Sequence, residues 1–113
     1  MSLPWRKIQQ ISDVTEAWES SFNKPILLFK HSTRCSISSM ALNRLERNWA
    51  GHEEQLTPFY LDLIAFRDVS NHIAALSGVQ HESPQAIVVK NGEVVYHASH
   101  NGISLADLME VLG

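Results

Sequence analysis

The stretch Pro25-Ile26-Leu27-Leu28-Phe29-Lys30-His31-Ser32-Thr33-Arg34-Cys35-Ser36-Ile37-Ser38 decides the fold. Ile26 to Phe29 is a continuous apolar run, the pattern of a strand buried on both faces. His31 to Arg34 reads as a short polar loop. From about Cys35 to Ala50 the residues Ile37, Met40, Ala41, Leu45 and Trp49 recur at helical spacing, with Arg44, Glu46, Arg47 and Asn48 covering the outside and Gly51 as the stop. The chain's single cysteine, Cys35, therefore stands at a strand-to-helix junction, at the N-terminus of the helix.

Upstream, Ile8 to Ile11 reads as a short first strand. Asp13 then reads as an N-cap with Glu16 as its capping-box partner. Val14, Ala17, Trp18 and Phe22 mark the apolar face of that helix, and Asn23-Lys24-Pro25 ends it. Downstream, Pro58 to Ile64 reads as a strand, and Val69, Ile73 and Leu76 mark a third helix stopped by Gly78. Ala86 to Val89 is a strand, Asn91-Gly92 a two-residue hairpin turn, and Val94 to Tyr96 the returning strand. Ser104 caps a last helix with Leu105, Leu108, Met109 and Leu112 on its apolar face. The order β-α-β-α-β-α-β-β-α predicts an α/β fold with a central, mainly parallel mixed sheet flanked by helices, the terminal hairpin adding antiparallel strands at one edge. That order and length fit a thioredoxin-like fold.

With 113 residues the chain suits one domain spanning 1–113. The net charge of -3 and the scattered lysines and arginines, never more than two together, argue against nucleic acid as a partner. Met1 to Gln10 has no apolar core of a signal peptide, and Pro25 to Phe29 is too short to span a membrane. A single cysteine forms no internal disulfide, and these features together predict a reducing, cytoplasmic setting. The dispersed histidines have no zinc-ligand spacing, so no metal is expected. No phosphate-binding loop, dinucleotide turn or nucleophile elbow is present.

At a helix N-terminus, unpaired N–H groups and the dipole favour a thiolate, and Arg34 adds positive charge. Ser38 occupies the position where a dithiol oxidoreductase carries its second cysteine. Cys35 could attack a disulfide, but an external thiol would have to release the adduct. The plainer alternative is a lone cysteine packed as a small hydrophobe. The polar neighbours His31, Ser32, Thr33, Arg34 and Ser36 favour exposure, but residue types leave both readings open. Ser83-Pro84 precedes the strand Ala86 to Val89. By analogy with thioredoxin-like folds this proline is cis and faces the cysteine, and the Ser83 backbone can pair with a bound partner. An ordinary trans proline opening a strand is the alternative. No carboxylate lies in Pro25 to Phe29, so proton handling at Cys35 falls to His31, solvent or the thiol substrate.

Thr33-Arg34-Cys35-Ser36-Ile37-Ser38 resembles the TxCPIS motif of the YtxJ-type monothiol bacilliredoxins, His81-Glu82-Ser83-Pro84-Gln85 resembles their HESPQ segment, and Ser99-His100 the SH after their hairpin. The resemblance covers nearly the whole chain and departs at Ser36, where the family usually has proline. It implies a thioredoxin-like protein with no tightly bound cofactor that takes bacillithiol as thiol substrate. Cys35 would remove bacillithiol from client proteins, and a low-molecular-weight thiol would then release it. Ser36 could compensate for the missing proline by donating a hydrogen bond to the Cys35 sulfur. Arg34, and more weakly Lys30, are candidate contacts for the malate group of bacillithiol. His31, His81, Glu82 and His100 are possible auxiliary residues. The alternative function is a non-catalytic redox sensor or adaptor whose single thiol becomes S-thiolated. A cluster shared between monothiol subunits is a third reading, disfavoured because the glycine and phenylalanine of a CGFS site are absent.

Overall fold

The computed structural model describes residues 5–32, 34–48 and 55–112. Thr33, Trp49, Ala50 and Gly51, read above as loop, helix and stop, lie outside those residues. The elements are β1 (Arg6–Lys7), α1 (Ile11–Ser20), β2 (Ile26–His31), α2 (Ser36–Asn48), β3 (Thr57–Asp62), α3 (Arg67–Ser77), β4 (Gln85–Lys90), β5 (Glu93–Ser99), a 3-10 turn at His100–Gly102 and α4 (Leu105–Leu112). Their order is the one read from the sequence. The sheet runs β1-β3-β2-β4-β5. β1, β3 and β2 are parallel, and the antiparallel hairpin β4–β5 joins on the free side of β2.

All six residues of β2 are buried. Its side chains alternate between two cores, as a strand's period of two requires. Ile26 and Leu28 join Val14, Ile73 and Ile87 under α1 and α3. Leu27 and Phe29 join Ala41, Leu45 and Leu108 under α2 and α4. Beyond Phe29 the strand continues. Lys30 pairs with Leu61 and Gln85, and His31 pairs with Asp62. The sequence reading ended the strand at Phe29 because the next two residues are polar. Both are buried, and the ladder carries the chain through them.

Several local readings shift. The first strand is Arg6–Lys7, and Ile11 opens α1 instead of closing a strand. The N-cap is Gln10. Asp13 sits one turn inside, where its carboxylate accepts from the N–H groups of Gln9 (2.9 Å) and Gln10 (3.2 Å), so it serves the helix start without being the cap. On α2, Ile37 and Met40 are 46% and 62% exposed, and the buried stripe is Ser38, Ala41 and Leu45. A serine at the head of that stripe displaced the apparent face by one position. Leu76, assigned to the core face of α3, is 43% exposed.

Phe22, read as the last core position of α1, lies beyond the helix in the turn, 61% exposed, with its ring against Gly92 of the β4–β5 hairpin. Ser21 holds the hairpin tip, its carbonyl accepting from Asn91 N–H and its hydroxyl from Gly92 N–H, both at 2.9 Å. Asn91 (φ 54°) and Gly92 (φ 76°) both take left-handed backbone, as a tight two-residue turn between twisted strands requires. A Cβ at Gly92 would stand 2.6 Å from the Phe22 ring. Gly92→Ala should therefore lower the unfolding free energy by about 1–2 kcal/mol. A urea unfolding midpoint equal to that of the wild type would contradict this packing.

Candidate active site

Three segments singled out in the sequence converge because of register. Lys30 of β2 pairs with Gln85 of β4, and Gln85 pairs with Ser99 of β5. The chain beyond the end of β2 leads to Cys35. The chain before β4 is Ser83-Pro84, and the chain after β5 is His100. All three leave the sheet at the same end. The Ser83-Pro84 bond is cis, as the fold analogy predicts.

Cys35 immediately precedes α2 and is half-buried, outside both core clusters. Its N–H donates to Ser32 O at 3.2 Å, and its carbonyl accepts from Ser39 N–H at 3.1 Å, opening the helix. The N–H groups of residues 36–38 precede the intrahelical ladder, so the thiol stands at the positive end of α2. Arg34 is exposed beside it. Among the described residues, no hydrogen bond joins Ser36 to the Cys35 sulfur.

Ser38 is fully buried, and its hydroxyl knits the cysteine loop to the sheet. Ser38 Oγ accepts from Ser32 N–H at 3.0 Å and lies 2.7 Å from His31 Nδ1. His31 is 5% exposed, contrary to its reading as a loop residue. Its ring stacks on Phe29 and tilts against Tyr60. Burial lowers its pKa, and the nearby Asp62 charge only partly opposes that shift. The Ser38 hydroxyl bonds the Ser32 N–H and the His31 ring at once. His31 thus reaches the cysteine loop through Ser38.

Lys30 projects to the opposite face and is fully buried. It is no surface contact for an acidic ligand, which corrects the expectation drawn from its charge. Its Nζ donates to Ser70 O on α3 (3.2 Å) and to His81 Nδ1 (3.3 Å), while Ser70 Oγ lies 3.2 Å from the same ring nitrogen. Burial lowers Lys30 from 10.5 to about 8. The His81 pKa is also lowered, first by burial and then by the charges of Lys30 and Arg67. Gln85, the cross-strand partner of Lys30, donates from Nε2 to Gln80 O at 2.9 Å. Sequence patterning could have found Lys30, since it continues the Ile26–Leu28 alternation one step past the apolar run. Ser70 and Gln80 carry no such signal.

His100 contributes through its backbone. It adopts φ 54°, donates its N–H to Pro84 O at 3.0 Å and offers its carbonyl to Arg44 Nη2 of α2 at 3.4 Å. Its side chain and those of His81 and Glu82 are exposed. No helix of the described residues is long and apolar enough to cross a membrane.

A sequence model of the family described as monothiol bacilliredoxin BrxC matches residues 6–108. A solved structure described as having a thioredoxin fold is similar at 32% identity over 95% of this chain and 92% of that chain, with a TM-score of 0.82. Thioredoxins share the fold at lower identity. That of Fasciola hepatica is 15% identical over 95% of each chain (TM-score 0.70). That of Nicotiana alata is 21% identical over 97% of this chain and 92% of that one (TM-score 0.70). Family and fold together support a thiol redox function.

Two measurements check the buried polar groups. Ser38→Ala leaves the Ser32 N–H and the buried His31 ring without their partner and should cost about 1–3 kcal/mol in urea unfolding. A loss within experimental error would contradict the network. For Lys30, the unfolded chain keeps a proton between about pH 8 and 10.5 that the folded chain has lost, so stability rises with pH across that window. Tyr60 and Tyr96 are pushed upward by burial and titrate above most of it. The stability of wild type relative to Lys30→Met should rise with pH above about 8, by at most about 1.4 kcal/mol per unit. A flat difference would contradict the burial of an ammonium there.

Proposed function

We propose that this chain, which belongs to the monothiol bacilliredoxin family, removes bacillithiol from protein mixed disulfides through Cys35. The observation that carries the reading is a half-buried single thiol at the N-terminus of α2, at the sheet end that also holds the Ser83-Pro84 segment, in a chain matched by that family over residues 6–108.

The chemistry runs in two exchanges. The Cys35 thiolate attacks the bacillithiol sulfur of the client mixed disulfide. The disulfide bond breaks, the client cysteine leaves as a thiolate with the bonding electrons, and a Cys35–bacillithiol disulfide forms. The thiolate of a low-molecular-weight thiol then attacks the bacillithiol sulfur and frees Cys35. The second exchange must come from outside, because the chain has one cysteine and Ser38 is engaged with Ser32 and His31. Cys35 stands at the positive end of α2, where negative charge develops on its sulfur in both exchanges. Bacillithiol is here a substrate, and the chemistry needs neither a bound cofactor nor a metal.

Arg34 is exposed next to Cys35 and suits the malate carboxylates, whereas Lys30 does not reach solvent. The exposed Ile37 and Met40 on the first turns of α2 offer apolar surface to a client polypeptide. The partners in this reading are bacillithiolated clients and the reducing thiol, in the reducing setting of the cytoplasm.

The test is release of bacillithiol from a modified model protein in the presence of excess free thiol. Wild type should accelerate release catalytically and Cys35→Ala should not exceed the uncatalysed rate. Equal rates would sink the proposal. Stoichiometric thiolation of Cys35 with no turnover would assign the chain to the sensor reading.

A further inference from the structure

Lys30 is an expensive residue where it stands. It is fully buried, and among the described residues no carboxylate pairs with its ammonium. An apolar side chain would fill the position without the desolvation cost. What the ammonium adds is a bond across elements, from β2 to the carbonyl of Ser70 on α3 and to the ring of His81, two residues before Ser83. The next strand repeats the device. Gln85, 2% exposed and in register with Lys30, holds the carbonyl of Gln80. The segment between residues 80 and 85 is thus gripped by two buried polar side chains of adjacent strands.

The same segment contains two buried polar atoms with no hydrogen-bond partner, Ser83 Oγ and Gln85 Oε1. Unpaired buried groups are rare and costly. The segment leaves the sheet beside the chain that leads to Cys35.

We propose that Lys30 is a positioning residue that acts through His81, fixing the His81–Ser83 segment in the orientation that receives the disulfide substrate. This rests on the bacillithiol-removing reading for its substrate, and on hydrogen bonds alone for the clamp. Nδ1 of His81 accepts from Lys30, so the proton of the neutral ring sits at Nε2.

The test uses the full chain with Lys30→Met, His81→Phe and the double variant. In wild type the His81 ring faces Lys30 from β2, Arg67 and Ser70 from α3, and its neighbour Glu82. Ring nitrogen NMR should show neutral His81 with an accepting Nδ1 in wild type, and a shifted Nδ1 signal with titration at higher pH in Lys30→Met. With a bacillithiolated client, Lys30→Met should raise KM about tenfold while kcat stays near wild type. The double variant should be no worse than His81→Phe alone, since one residue acts through the other. Alkylation of Cys35 by iodoacetamide should proceed at the wild-type rate in Lys30→Met, which separates loop positioning from unfolding. An unchanged His81 titration overturns the clamp, and additive losses or a fall in kcat alone overturn its positioning role. Wild type without activity on the client contradicts the function reading instead, and the NMR arm then decides the clamp by itself.

Discussion

The alternation of side chains along β2 is the constraint on which the rest depends. A strand buried on both faces must send successive residues to opposite cores. Four apolar residues do so, and then Lys30 and His31 obey the same rule with polar groups. Lys30 turns toward α3 and grips the loop of residues 80–85. His31 turns toward α2 and, through Ser38, grips the loop that carries Cys35. One strand end thereby anchors both segments beside the thiol.

Each anchor follows the same energetic logic. A buried polar group is tolerable only when its hydrogen bonds are made. Ser38 Oγ serves Ser32 N–H and the His31 ring together, and the Lys30 ammonium serves a helix carbonyl and a loop imidazole. Among the described residues no hydrogen bond joins either group to the Cys35 sulfur. Their effect is geometric, while the thiol itself stands at the N-terminus of α2. Ser38 therefore does more than occupy the place of a resolving cysteine. A thiol there would be a weaker partner for both of its neighbours.

The element order was legible because apolar runs, helical spacing and the Asn91-Gly92 turn are local signals. The fold then followed from alternation of strands and helices, and the family from the segments around Cys35 and Pro84. What patterning misjudged were residues whose state is set across elements. Lys30 and His31 look like loop residues because hydropathy does not reveal Ser70, His81 or Ser38. Ile37 and Met40 look like core, but the serine at the head of the buried stripe shifts the helix face by one step. Asp13 has the chemistry of a cap, and only the chain path shows that Gln10 occupies the position. His100 ties Pro84 to Arg44 through its backbone, contacts that residue type does not encode.

The account makes Cys35 a thiol that accepts a small adduct and must hand it on. The most direct test mixes the protein with a bacillithiolated client in the absence of any other thiol and reads intact masses. The account predicts that this chain gains one bacillithiol on Cys35 while the client recovers its free thiol. An unmodified chain, or a disulfide between Cys35 and the client itself as the lasting product, would contradict it.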